Sequence, residues 1–392
     1  MTKRTRFSRL ILVSQFFYPA NVAAAARYKP LVSALMKFYD VTVYTSRISR
    51  GRSEFIVKCN WVPFPSNQKS NIFRLLFETA FGVETFIRIL FSKGDIYYLG
   101  SPSFINCTFA ALCCKLLGKP YLVDIRDDYP RVYFDSGLIK ETGFIGRQLK
   151  WIERTICENA ILVVAATEGL KKNIELFQIK ESWLLRNGYS EDLFNPASEK
   201  FKDFTLVFHG ILSNFQDVDL LVNLGRLIDQ RNLDIKIVVA GEGNQDYKLK
   251  VNLPRSVTYL GPKSHAEIAG LINKAHVGLS FRKPGKISED SFPVKIYEYI
   301  GVGLPILVTP PSEAGEYVQK SGIGFQFDPQ NEEAILGKIL EIKEKASLYD
   351  ELQENLATVR PVFSREKMSS AFVSYLVSKH PHSQGLNAQK TP

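Results

Sequence analysis

Short, mostly apolar runs rich in β-favouring residues alternate along this chain with longer stretches of helical character, and they do so in two sets. The first set is RLILVS (9–14), VTVYT (41–45), DIYYLG (95–100), YLVDI (121–125) and AILVVA (160–165), with helices expected over 27–37, 72–91, 104–117 and 145–158. The second is TLVFH (205–209), IKIVVA (235–240), VTYL (257–260), VGLS (277–280) and PILVT (305–309), with helices expected over 217–229, 266–273, 293–300 and 332–344. Alternation of such strands with helices places the helices on the two faces of a parallel, doubly wound sheet. The polar, turn-rich segment LLRNGYSEDLFNPASEK (184–200) separates the sets. A chain of 392 residues exceeds what one core serves. The expectation is therefore α/β, two Rossmann-like doubly wound domains over 1–185 and 186–362. A C-terminal helix (363–378) is expected to return to the first domain, with a disordered tail (379–392) beyond it. Sites on such sheets lie beyond the carboxyl ends of the strands, in a cleft if two domains face each other.

Several function classes fall away. The five cysteines have no C-x-x-C pairing, and the five histidines have no metal-ligand spacing. Neither a zinc site nor a disulfide framework is expected, nor a histidine at the site. The opening MTKRTRFSRLILVSQFF has only a four-residue apolar core, so it reads as a first strand rather than a leader. No run approaches the length of a membrane span. Charge is unevenly placed: residues 1–180 hold 26 Lys and Arg against 14 Asp and Glu, residues 181–392 hold 24 against 26. A basic first half suits an anionic surface. With no nucleic-acid motif in the chain, membrane lipid or a phosphorylated acceptor is expected, and nucleic acid is not. The expected location is cytoplasmic, peripheral at the inner face of the plasma membrane.

The stretch EDSFPVKIYEYIGVGLPILVT (289–309) places two carboxylates and an ammonium where a core is expected. Pro293 suits the first turn of a helix that ends at Gly301 or Gly303. The unpaired N–H groups from Val294 onward, with Lys295, make an anion site at the positive end of the dipole. Glu298, one turn on, suits a vicinal diol such as a ribose, and Asp290 the hydroxyls of a second polar ring.

This stretch resembles the donor-binding segment of family-four retaining glycosyltransferases with the GT-B fold. Their pattern places a carboxylate, seven residues, a glutamate, then a small-residue turn before a strand. Phe-Pro-x-Lys-x-x-Glu-Tyr within it resembles the subgroup acting in bacterial surface polysaccharide synthesis. RNGYSEDLF (186–194), VVAGEGNQDYKL, YLGPKSHAEIAGLINKAHVGLSF, WIERTICENAILVVAATEGLKK and FFYPANVAAAARY resemble other family segments in order, over about residues 10–378. The resemblance implies transfer from a nucleotide-diphospho-sugar to a glycan or polyprenyl-diphosphate-linked acceptor, without a metal or other cofactor. Glu298 would hold the ribose and Asp290 the sugar, while Pro293, Val294 and Lys295 at the helix start stabilise the leaving diphosphate.

The chain also departs from the pattern. The family's second domain opens with Gly-Arg-Leu and a lysine about five residues later. Here HGILSNFQD keeps Gly210 but has Ile211 and Gln216 in place of the two cations. Lys295, Arg282 and Lys283 are the candidates to replace that charge. In the first loop Asn21 suits a helix cap, and Arg27 would then lie near an acceptor phosphate. In DIRDDYP, Arg126 stands about where the family often has a histidine, and Asp127 beside it is the candidate to take or orient the acceptor's hydroxyl proton. The literal strings DVD (217–219) and GEG (241–243) read as a helix start and a turn, not as metal or dinucleotide motifs. Two alternatives remain open: a nucleotide-sugar epimerase of the same fold, and a binding protein that has lost activity.

Overall fold

The computed structural model describes residues 8–20, 23–49, 51, 54–62, 71–101, 103–128, 131, 133–134, 139–197 and 199–379. The chain divides into two compact units. Unit 1 is discontinuous, comprising residues 1–186 and 368–392, and unit 2 is the continuous stretch 187–367. The expected tail lies outside the described residues from position 380 onward.

Unit 1 is built on seven parallel strands: β1 (Arg9–Val13), β2 (Asp40–Thr45), β3 (Val57–Cys59), β4 (Ile96–Gly100), β5 (Tyr121–Ile125), β6 (Leu162–Ala165) and β7 (Ser182–Leu184). Their order is β3-β2-β1-β4-β5-β6-β7. Alternate strand residues face opposite ways, and two cores result. Ile11, Val13, Tyr97, Leu99 and Val123 pack against the helices Phe104–Leu116 and Phe144–Asn159. Leu10, Leu12, Tyr98, Leu122 and Val164 pack against the helix Ala23–Leu35 and against Phe372, Val373, Leu376 and Val377 of the C-terminal helix Arg365–Lys379. The last helix therefore completes a core whose strands come from the first half of the chain. All five cysteines are free thiols, four of them buried.

Unit 2 holds six parallel strands: β8 (Phe204–His209), β9 (Ile235–Ala240), β10 (Val257–Tyr259), β11 (Val277–Phe281), β12 (Ile306–Thr309) and β13 (Gly324–Gln326). Their order, β10-β9-β8-β11-β12-β13, is the doubly wound one. The chain thus has the expected fold class, two Rossmann-like doubly wound α/β units. Every element expected from the strand–helix alternation is present within a few residues of its expected bounds. The two ends of unit 2 meet: Tyr189 bridges Ser364, and Arg365 donates to the carbonyls of Asn187 and Gly188 at 2.9 and 2.8 Å.

Candidate functional site

In unit 2 the strand order reverses between β8 and β11, so the loops at their carboxyl ends diverge and leave a crevice. The helix Val294–Val302 is fixed against both strands. The Tyr299 hydroxyl shares its proton between the carbonyls of Val207 on β8 and Leu279 on β11, 3.1 Å from each. Gly278 makes room for that ring, since a Cβ there would lie 2.6 Å from it. Gly303, left-handed at φ 71°, ends the helix as a glycine should. Pro293 is its N-cap and Val294 its first helical residue. With rotation set by Tyr299, Lys295 and Glu298 are presented to the end of β8. The Lys295 ammonium sits 3.5 Å from the Phe208 ring centre and donates to the Gln216 side chain at 3.3 Å. The Glu298 carboxylate stands 3.3 Å from His209 Nε2, within ion-pair range but without hydrogen-bond geometry.

Glycines bring the backbone close. Gly210 has φ 115° and Gly241 φ 143°, and a Cβ on Gly241 would stand 1.9 Å from the Gly210 carbonyl oxygen. Only glycine permits both the torsions and the contact. The GEG turn thus serves loop-to-loop packing beneath Gly210. Lys295 leans over Gly210, whose Cβ, if it had one, would be 3.9 Å from the ammonium nitrogen.

The second cation is Arg282, directly after β11. Its backbone pairs with Gln216 and one guanidinium nitrogen donates to the Ser291 hydroxyl. Its Nε is buried with no acceptor among the described residues. His209 Nε2, Ser280 Oγ and Thr309 Oγ1 are buried and equally unmet, all at the carboxyl ends of β8, β11 and β12. Native buried polar atoms nearly always find a partner, so four unmet ones at one end of a sheet mark a place for a polar ligand. Burial pushes Glu298 up to about 7, against the pull of Arg365 and Lys295. Burial, then Arg282, holds Lys295 well below its usual value, with Glu298 opposing. Burial, then Lys295 and His265, holds His209 well below its own. Burial brings Arg282 down to about 10. A phosphate would relieve both cations.

Of the residues expected for a donor, the structure therefore brings together Gly210, Arg282, Lys295 and Glu298. Asp290 follows the one-turn helix Lys286–Glu289, half-buried, and its N–H donates to the Lys286 carbonyl. The Lys283 N–H donates to the Phe215 carbonyl, which ties the loop after β11 to the loop after β8. Asp217 of the DVD string caps the helix Val218–Gln230 by accepting from the Leu220 N–H, and Asp219 pairs with Lys248. His209 overturns the expectation that no histidine lies here. Its signal was its position, last in an apolar run and directly before a glycine.

In unit 1, Asn21 lies outside the described residues. Arg27 is buried inside the fold, donating to the Asp124 carboxylate at 3.1 and 2.9 Å and to the Leu185 carbonyl at 2.6 Å. Arg126 and Asp127 follow β5, the first tied through its N–H to the Ser101 hydroxyl, the second exposed. Asp127 and Ser101 line a cavity of about 10 Å³ with Glu153, whose carboxyl burial, then Asp128, pushes up to about 8. Glu153 was not foreseen from the sequence: it lies in the segment WIERTICENAILVVAATEGLKK, but nothing in that segment singles out its carboxyl.

Residues 190–358 match the family model described as "Glycosyl transferases group 1". No curated protein matches the chain. Solved structures share its fold at low identity. Sucrose-phosphate synthase from Thermosynechococcus elongatus superposes with a TM-score of 0.72 at 14% identity, over 96% of this chain and 100% of that one. Anabaena HepE, solved in complex with UDP, gives 0.67 at 13% identity, over 95% and 100%. WaaG, a glycosyltransferase involved in lipopolysaccharide biosynthesis, gives 0.67 at 15%, over 93% and 99%. The residues that match this model include those of the site just described, and the fold is the one these solved structures have.

Proposed function

We propose that this protein is a metal-independent glycosyltransferase that moves a sugar, with retention, from a nucleotide-diphospho-sugar to a glycan acceptor carried on a lipid. The reading places it in bacterial surface-polysaccharide synthesis, peripheral at the inner face of the plasma membrane. The observation that carries it is the convergence of Lys295, Arg282, Gly210, His209 and Glu298 at the β8/β11 switch point, inside the segment matching the family. Lys295 and Arg282 take the place of the two cations missing at Ile211 and Gln216. Lys295 does so spatially, because its ammonium lies against the Gln216 side chain. In the reaction the bond from the anomeric carbon to the diphosphate oxygen breaks, and the two cations with the start of the helix Val294–Val302 stabilise the charge released. A bond to the acceptor hydroxyl oxygen forms, and its proton passes to the departing phosphate or to Asp127. Glu298, ionised, accepts from the ribose hydroxyls, and Asp290 from the sugar.

The test is the thermal midpoint of the purified protein with UDP, GDP, CMP and dTDP in a chelator, for wild type and Glu298→Ala. A ligand bound only by the folded state raises the midpoint. One nucleotide should do so, and the variant should lose most of the shift. No shift with any nucleotide would sink the reading. His209 beside Glu298 supports a second reading, a nucleotide-sugar epimerase. Release of an epimerised sugar from a nucleotide-sugar supplied without acceptor would favour it.

A further inference from the structure

The helix Asn71–Leu90 of unit 1 is apolar on two sides. Its inner side packs: Phe77, Phe81 and Ile89 are buried, and Gly82 admits the Phe109 ring of the neighbouring helix Phe104–Leu116. Both of its carboxylates are turned inward. Glu78 accepts from the Ser103 hydroxyl, and Glu84 accepts from the Trp61 N–H and from Arg88. Its outer side is Leu75, Leu76, Thr79, Ala80, Val83, Ile87 and Leu90, all exposed. At 3.6 residues per turn these fall within about 140° of arc. No charge interrupts them, and Leu76 is 60% exposed. Phe91, just past the helix end, is 79% exposed. Beside this stripe, Leu112 and Leu116 of the neighbouring helix are also exposed. A surface helix ordinarily turns a polar face outward, so a stripe of this extent marks an interaction surface.

A groove of about 500 Å³ continues the stripe at the helix C-terminus, and Ile87 and Phe91 belong to both. The groove lies at the amino ends of β1 and β2. Four cations line it, Arg9, Lys58, Arg88 and Lys93, with one lining carboxylate, Asp40; Arg9 is paired with Asp95 at 3.6 Å and Arg88 with Glu84 at 2.7 Å, which leaves Lys58 and Lys93 without an ion pair among the described residues. Trp61, 66% exposed, stands at its edge, with the Arg88 guanidinium 4.7 Å from its ring centre. An apolar helix face that ends in a cationic groove with an exposed tryptophan suits the boundary of an anionic bilayer. There, acyl chains take the apolar side chains, headgroup phosphates take the cations and the indole sits between them. Among the described residues no helix is long and apolar enough to cross a membrane.

We infer that the outer face of the helix Asn71–Leu90, with the Arg9–Lys58–Arg88–Lys93 groove, is the surface by which this protein lies on anionic phospholipid. The inference rests on the reading of a lipid-borne acceptor for its purpose, though not for its observations. The experiment is flotation of the full-length protein with phosphatidylcholine vesicles, with and without phosphatidylglycerol, at low and high salt. Wild type is compared with Leu76→Glu/Phe91→Glu and Lys58→Glu/Lys93→Glu. Wild type should float with the anionic vesicles only, less so at high salt. Each double variant should bind at least about tenfold more weakly, with an unchanged thermal midpoint and an unchanged nucleotide shift. Wild type and both variants floating alike would overturn this surface while leaving a membrane-borne acceptor in place. Wild type failing to float would overturn both. A wild-type dimer in solution, dissociated by Leu76→Glu/Phe91→Glu and indifferent to vesicles, would assign the stripe to a second copy and overturn the inference.

Discussion

Replacing Arg27 by methionine tests the core of unit 1 and the fate of a residue that looked like an acceptor contact. Its guanidinium is 2% exposed and Asp124, on the central strand β5, is 0% exposed. Among its bonds to described residues, Arg27 donates two charge-assisted hydrogen bonds to Asp124 and one to the Leu185 carbonyl. Removing the cation leaves a carboxylate with no route to water, which costs about 3–5 kcal/mol. The Tyr28 and Tyr98 hydroxyls lie near the same carboxylate and compensate in part, which favours the lower end. For a domain of this size about 3 kcal/mol lowers the midpoint by roughly 6–12 °C. Arg27→Met/Asp124→Leu removes both charges and should recover to within about 1–2 kcal/mol of wild type, the remainder being the Leu185 carbonyl left without its donor. Urea unfolding followed by tryptophan fluorescence reads this directly, because Trp61, Trp151 and Trp183 all belong to unit 1. A loss under about 1 kcal/mol for Arg27→Met, or a double variant no better than the single, would refute the argument. A normal stability with lost transfer would return Arg27 to the acceptor.

Glu298 should cost stability in order to serve binding. Its folded pKa, about 7, lies above the usual 4.5, so its share of stability is full below pH 4.5 and is lost as pH rises through 7, by about 3 kcal/mol in all. Glu298→Gln should therefore melt higher than wild type at pH 8 and nearly alike at pH 4, and a midpoint difference independent of pH would contradict this. Nucleotide affinity, measured by calorimetry, should fall as the carboxyl protonates below pH 7. Gly241→Ala, whose Cβ would stand 1.9 Å from the Gly210 carbonyl oxygen, should destabilise unit 2 by about 3 kcal/mol or more and abolish the nucleotide shift. Lys295→Met should weaken nucleoside diphosphate far more than nucleoside, compared by titration, and equal losses would deny Lys295 a phosphate role.

Much of this fold was legible because its central strands are mostly apolar and its helices long. Three of the four edge strands were not; the fourth, β10, was read from its β-favouring run VTYL. β3, β7 and β13 are VKC, SWL and GFQ, three residues each, too short to show a period, and they exist because a neighbouring strand offers hydrogen bonds. At the candidate site, the sequence singled out the helix on which Lys295 and Glu298 are buried, and Gly210 where the backbone comes close. Lys295 illustrates what spacing leaves out. Read as a charge at a helix start, it is in fact a buried cation reaching across to Gln216, because Tyr299 sets the rotation of the helix. Arg365 is invisible in sequence for the same reason, and so is the approach of His209 to Glu298: each reaches that carboxylate only through the packing of separate elements. Arg27 shows the converse, since a helix near a first loop does not reveal which of its faces turns inward.

The discontinuity of unit 1 has a consequence for how the chain is made. Phe372, Val373, Leu376 and Val377, which close over Leu10, Leu12 and Tyr98, are synthesised only after the whole of unit 2, which follows residue 186. At about 5–20 residues per second, roughly 10–40 s separate them from residue 186. Throughout that interval one face of the seven-stranded sheet waits without its last helix, while unit 2, continuous and with its ends joined at Tyr189 and Ser364, has everything it needs to fold. The later half of the protein is thus equipped to finish first. The nascent first half is the stretch that a holding chaperone would have reason to shelter.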